Sequence, residues 1–241
     1  NAYGTGDIRG LTNNLDYLEW LGVDCLWLLP FMDSPLRDGG YDIADYYKVL
    51  PEYGNVDDVA ELIEAAHARG IRVIADMVMN HTSDQHRWFQ EALAASPGDP
   101  ARDRYIFRAG KGPDGSEPPT NWMAVFGGSA WERVADGEWY LHLFDPSQPD
   151  RNWENEEVRA EFDSVSRFWL DRGIDGFRID VAHGLIKDPT YPDVEKKAKI
   201  LESEHAVDHP YWDRDGVHEI NRRWRAVLEE YDDRMMVAEA W

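Results

Sequence analysis

Ile71-Arg72-Val73-Ile74-Ala75-Asp76-Met77-Val78, followed at once by Met79-Asn80-His81, is the stretch that decides the fold. A short, nearly continuous apolar run has no solvent face. It reads as a strand covered on both sides, as in a parallel sheet. Three further runs have the same character: Cys25-Leu26-Trp27-Leu28-Leu29, Gly176-Phe177-Arg178-Ile179-Asp180-Val181 and Met235-Met236-Val237-Ala238-Glu239. A helical stripe precedes each. Leu11, Leu15, Leu18 and Leu21 share one face, as do Val59, Leu62, Ile63 and Ala66. Val158, Phe162, Val165, Phe168 and Trp169 form a third stripe, and Ile220, Trp224, Val227 and Leu228 a fourth. Their spacing is that of a helix with one buried face. Gly22, Gly70 and Gly173 stand where three of these helices stop, just before the next strand.

Alternating helix and strand predicts an α/β fold built on a parallel sheet. Helix-to-strand connections are short and strand-to-helix connections long, so elaboration gathers at one end of the sheet. That is the form of a (β/α)8 TIM barrel with its site at the C-terminal ends of the strands. Four of its strands are visible in this sequence. A doubly wound open sheet is the alternative, weakened because no Gly-rich phosphate loop follows the first strand. The expected division is a first part of the barrel over 1–81, an inserted subdomain over 82–155 and the barrel continued over 156–241. The insert is rich in Gly, Pro, Asp and Trp and too long for a connector. A second long excursion covers 183–216.

The 241 residues, 43% hydrophobic, suffice for one sizeable core. Twenty-five basic and 47 acidic residues leave a net charge of −22. That argues against nucleic acid or an anionic membrane as partner and is compatible with a neutral substrate. The eleven tryptophans suit a packed core or sugar platforms, core being the commoner use. Cys25, the lone cysteine, supports neither a disulfide framework nor a Cys-based zinc site, and in its apolar run it reads as buried. No stretch is long enough to span a membrane and no signal peptide is visible, so the expected compartment is the cytoplasm. Oligomeric state is not legible.

The strand ends carry the chemistry. Asn80 and His81 follow the 71–78 run, Glu239 ends the last, and Arg178 and Asp180 lie two apart on one side of theirs. An arginine and a carboxylate facing a barrel interior are expensive to bury without a purpose, although a salt-bridge network would also account for the pair. Two carboxylates on different strands, with Arg and His beside them, are what cleavage of an acetal needs. One must be ionised to attack the anomeric carbon, the other protonated to release the leaving oxygen. The guanidinium beside Asp180 is expected to keep it ionised.

Asp76-Met77-Val78-Met79-Asn80-His81, Gly176-Phe177-Arg178-Ile179-Asp180 and Glu239-Ala240-Trp241 resemble, in order and spacing, the first three signature regions of the α-amylase family, glycoside hydrolase family 13. Gln148-Pro149-Asp150-Arg151-Asn152-Trp153-Glu154-Asn155 is similar to the motif of its oligo-1,6-glucosidase and α-glucosidase branch, with Arg151 where Leu is usual. Gly39-Gly40-Tyr41-Asp42-Ile43 and Asn80-His81-Thr82-Ser83-Asp84 also look like that branch.

The resemblance implies a retaining, exo-acting α-glucosidase working through a covalent glucosyl intermediate on a small α-glucoside. Asp180 would be the nucleophile and Glu239 the acid/base, with Arg178 orienting Asp180. His81 would bond the sugar's primary hydroxyl and Asp38 the far hydroxyls of the terminal glucose, while Tyr41 stacks on it. Phe126, Phe144 and Gln148 would line the pocket from the insert, the two phenylalanines otherwise being core of that insert. Asn80 would fix its loop. Val181, next to the nucleophile, would favour α-1,6 links over α-1,4, or simply be a good strand residue.

No cofactor is implied as a requirement. Asn1-Ala2-Tyr3-Gly4-Thr5-Gly6-Asp7 looks like the end of a family loop that often binds calcium. Tyr3 stands where an Asp is usual, leaving Asp7 as the one candidate ligand and more readily a loop or cap residue. The fourth family region, with its third catalytic Asp, is not in the sequence, so these 241 residues alone are expected to be inactive and poorly stable. Two other readings remain. One is a transglycosylase or isomerase of the same fold, of trehalose synthase or sucrose isomerase type. The other, more remote, is a non-catalytic relative of the transporter heavy-chain type.

Overall fold

The computed structural model describes residues 6–195 and 209–240. In chain order its elements are α1 (Ile8–Thr12), α2 (Leu15–Leu21), β1 (Cys25–Leu28), β2 (Met32–Asp33), β3 (Asp45–Val49), α3 (Val56–His67), β4 (Arg72–Val78), α4 (Arg87–Ala94), β5 (Phe107–Ala109), β6 (Trp131–Arg133), β7 (Glu138–Leu141), α5 (Glu156–Leu170), β8 (Gly176–Asp180), α6 (Val217–Leu228) and β9 (Met235–Ala238). Short 3-10 turns lie at Pro100–Arg104 and Ala182–Gly184.

The centre is a parallel sheet in the order β1-β4-β8-β9. Every consecutive pair is joined through a helix, as parallel pairing requires. α3 shows how the local sequence makes this happen. Asn55 caps its N-terminus by accepting from the amides of Asp57 and Asp58, while Asp58 accepts in return from the Asn55 amide. Val59, Leu62, Ile63 and Ala66 are buried on one face, each large one contributing about 1.5–3 kcal/mol. Past the helix, Gly70 adopts φ 72°, which a Cβ would oppose. The chain turns and β4 begins. α5 is likewise capped by Asn155 and buries Val158, Phe162, Val165 and Trp169. Gly176 serves a different need: a Cβ there would lie 1.9 Å from the Met235 carbonyl oxygen, so only glycine lets β8 and β9 approach.

Register places the chemistry. Asp76 on β4 pairs with Arg178 on β8, and Val78 with Asp180. Arg178 in turn pairs with Val237 on β9. Within 82–155, β5, β7 and β6 form a separate antiparallel sheet with β7 in the middle. Its core is not separate throughout: Trp88, Phe89, Tyr105, Phe107 and Tyr140 pack with the core of the parallel sheet. A second cluster gathers Trp122, Trp131, Leu141 and Leu143 with Val181 and Tyr211.

Three expectations change. Within these 241 residues β1 and β9 are not buried strands: Trp27, Leu29, Met235 and Val237 are about half exposed, because among the described residues each strand has a neighbour on one side only. Cys25, on β1, is exposed for the same reason. The first leucine stripe is broken at Asn13–Asn14 into α1 and α2; Leu15 is buried and Leu21 exposed. Among the described residues, no helix is long and apolar enough to cross a membrane.

Candidate active site

Three carboxylates converge on one guanidinium. Arg178 projects from β8 beside Asp180, as their two-residue spacing requires. Its Nη1 donates to Asp180 Oδ1 at 2.6 Å and to both oxygens of Asp76 at 2.9 and 3.0 Å. Its Nη2 lies 2.8 Å from Glu239 Oε1. Asp76 is fully buried beneath the pair and also accepts from Tyr41 OH at 3.1 Å and Trp27 Nε1 at 3.2 Å. Arg178 therefore draws Asp180 and Glu239, from adjacent strands, to the two ends of one planar group.

A left-handed turn adds a second hold. Val181 has φ 49° and ψ 40°, a strained conformation for a β-branched residue. The turn aims its backbone N–H at Glu239 Oε2, at 3.0 Å. Glu239 is thus gripped by Arg178 on one oxygen and by the residue after Asp180 on the other. The strand predicted over 176–181 stops at Asp180 for this reason.

These groups open into a cavity of about 210 Å³ lined by Asp38, Tyr41, His81, Phe126, Phe144, Arg178, Asp180, Val181 and Glu239. Sequence reasoning singled out all nine. Gln148 is fully buried behind the wall, donating to Asp38 Oδ2 at 2.8 Å and lying 3.3 Å from His81 Nε2. Phe144 packs 5.0 Å from the His81 ring, and Phe126 meets Phe144 edge-on at 5.6 Å. Phe126 is largely exposed, so it is rim rather than core. Asp7 stands apart. Its carboxylate caps α1, accepting from the Gly10 amide at 2.6 Å; residues 1–5 of the candidate calcium loop lie outside the described residues. Among the described residues no cluster of three or more His, Cys, Asp or Glu side chains is placed to hold a metal ion.

Electrostatics revises one expectation. Asp180 is pushed up to about 7, first by burial and then by the charges of Asp76 and Glu239, against the pull of Arg178. One guanidinium does not neutralise three carboxylates. Burial also raises Asp76 and lowers His81, which is held neutral.

The sequence assigns no role to Asp76, Trp27 or Lys187, and Asn80, expected to fix its loop, belongs to a buried set behind His81. Lys187 Nζ lies 2.8 Å from Asp150 Oδ2 and donates to Asn80 Oδ1 at 2.8 Å. Arg151, where the branch has Leu, is fully buried against the rings of Phe162 and Trp88, at 4.9 and 5.0 Å.

Comparison with known proteins identifies the family. The family model described as "Alpha amylase, catalytic domain" matches residues 1–241. Trehalose-6-phosphate hydrolase of Escherichia coli (strain K12) is 49% identical over 221 residues, 91% of this chain and 38% of that protein. Oligo-1,6-glucosidase of Parageobacillus thermoglucosidasius is 47% identical over 235 residues, 96% of this chain and 41% of that protein. The crystal structure of trehalulose synthase MutB from Pseudomonas mesoacidophila MX-45 superposes with a TM-score of 0.88 at 38% identity, covering 98% of this chain and 41% of that one. The chain thus spans about two fifths of the length of the relatives it matches. With its whole length matched, the chain belongs to the α-amylase catalytic-domain family.

Proposed function

We propose that the chain carries the glucose-binding and bond-cleaving groups of a retaining, exo-acting α-glucosidase. The observation that carries this reading is Arg178 spanning Asp180 and Glu239 at the wall of a small cavity. Asp180, with a side chain only 9% exposed, is the nucleophile that forms the glucosyl ester. Glu239, at 34%, meets water and leaving group and serves as acid, then base. Retention calls for carboxyls about 5–5.5 Å apart, and a shared guanidinium favours that closeness.

Asp38 and His81 bind the terminal sugar's hydroxyls, Tyr41 and the phenylalanines its apolar face, and Gln148 orients Asp38. The division of charge between the carboxylates follows from the cycle. In that cycle an ionised Asp180 attacks while Glu239 gives its proton to the leaving oxygen.

A second reading, transfer to a sugar hydroxyl instead of water, draws on the likeness to trehalulose synthase; both share the glucosyl-Asp180 step. Product analysis of the full-length protein on maltose, isomaltose, sucrose, trehalose and trehalose 6-phosphate separates them. The proposal expects free glucose of retained anomeric configuration, with isomaltose preferred over maltose if Val181 sets linkage. Net inversion, or no turnover of any α-glucoside, overturns it.

A further inference from the structure

Behind the cavity wall, Asn80, Asp150 and Lys187 are all buried, and none touches the cavity. Their hydrogen bonds admit one arrangement. The Lys187 ammonium only donates, so the Asn80 atom 2.8 Å away is its carbonyl oxygen. The Asp150 carboxylate only accepts, so the atom facing its Oδ2 at 3.1 Å is the Asn80 amide nitrogen. Asp150 is itself fixed by Lys187 at 2.8 Å and by the Leu143 amide at 2.9 Å. Lys187 also donates to the Gly184 carbonyl. The Asn80 amide therefore has no freedom to flip. Its remaining hydrogen faces His81 Nδ1, 3.3 Å away.

His81 has a donor on each side. Asn80 presents N–H to Nδ1. The Gln148 amide, oriented by its bond to Asp38, presents N–H to Nε2 at 3.3 Å. A neutral imidazole has one acceptor nitrogen and cannot satisfy both. The Tyr41 carbonyl oxygen, 3.1 Å from Nε2, breaks the tie, because it needs a proton on that nitrogen.

We propose that the Lys187–Asp150–Asn80 network is a positioning device that holds His81 as the tautomer with Nδ1 accepting and Nε2 carrying the proton. Nε2 is the nitrogen on the Tyr41 and Gln148 side, so the ring's one proton is donated to the Tyr41 carbonyl. The inference explains why a lysine is buried after β8: it ties the loop beyond Asp180 to the loop beyond β4 and to the insert. Burial, which disfavours charging of His81, is consistent with a neutral ring. The consequence for turnover rests on the glucosidase reading, in which His81 binds a sugar hydroxyl; the tautomer itself does not.

The test uses the full-length protein with 15N-labelled histidine, the His81 resonances being assigned through His81→Gln. Two-bond nitrogen–proton spectra should show an unprotonated Nδ1 and a protonated Nε2. In Asn80→Asp the same position offers only acceptors, so His81 should gain a proton on Nδ1. In Lys187→Met the Asn80 amide is released, and the single tautomer should give way to a mixture. On the glucosidase reading, Asn80→Asp should lower kcat/KM at least about tenfold, mostly through KM, and adding His81→Gln should lower it little further, as residues acting through one another do. Protonated Nδ1 in the unaltered protein overturns the proposal outright, even if both variants fail to fold. So does Asn80→Asp that folds with an unchanged His81 pattern, or two losses that simply multiply. An unaltered protein with the expected tautomer but no activity on any α-glucoside would remove the glucosidase reading and leave the tautomer assignment standing.

Discussion

β4 and β8 differ from β1 and β9 in almost everything except their sequences. All four are short apolar runs. Yet six of the seven residues of β4 are buried, whereas β9 has no buried residue. The inner pair has neighbours on both sides and sets Asp76, Arg178 and Asp180 in one row by register. The outer strands reach that row by single side chains: Trp27 through an indole N–H, and Glu239 from the residue past β9. The difference separates the two candidate catalytic carboxylates. Asp180 sits in the buried row and is raised to about 7; Glu239 lies just past the outer strand of these 241 residues.

The comparison can be broken at several levels. Largest is turnover: Asp180→Asn in the full-length protein should lose at least about 10⁴-fold in kcat, because covalent and electrostatic contributions vanish together. Glu239→Gln should be rescued on substrates with an activated leaving group, which needs no proton, and Asp180→Asn should not. Equal rescue of both would erase the distinction between the strands.

Next comes stability. Phe177→Ala on β8, fully buried, should cost about 3–5 kcal/mol in urea denaturation of the 241-residue chain. Val237→Ala on β9, 43% exposed, should cost under about 0.5 kcal/mol. Similar costs would mean that inner and outer strands are not distinct environments.

A smaller effect concerns pH. Asp180 is raised above its unfolded value, so the stability it contributes is present at low pH and is lost as pH rises through about 7. Asp180→Asn should remove that decline in Tm. Activity runs the opposite way, since the nucleophile must be ionised: the acid limb of kcat/KM should lie near pH 7. Asp76→Asn deletes one of the charges raising Asp180, and the limb should move about one unit lower. A shift to higher pH would show that Asp76 acts mainly through the orientation of Arg178. Smallest is Trp27→Phe, which removes the indole donor to Asp76; kcat/KM should change by less than about tenfold.

Much of this is legible in the sequence. Period-2 spacing put Arg178 and Asp180 on one side of a strand, and Gly22, Gly70 and Gly173 do adopt positive φ where helices end. Local patterns carry such information because they are local. Exposure of Cys25, Trp27 and Val237 depends on which strands stand beside β1 and β9, which an apolar run does not encode. Asp76 carries no recognisable role in the sequence, although a carboxylate amid Val, Ile and Met signals that something pairs with it. Lys187, behind Leu185 and Ile186, was a similar signal; its partners Asn80 and Asp150 lie 107 and 37 residues away in sequence. The raised Asp180 is not legible in the sequence, because its first cause is burial and its second the charges of Asp76 and Glu239, which only the folded chain brings to it.

The central claim is that Asp180 is the nucleophile and Glu239 its acid/base partner. Incubating the full-length protein with a fluorinated α-glucosyl fluoride traps the ester formed by a retaining enzyme, and peptide mass spectrometry locates it. The account predicts one glucosyl adduct, on the peptide carrying Asp180, and none in Asp180→Asn. An adduct on Glu239, or full turnover of an α-glucoside with Asp180 never labelled, would contradict it.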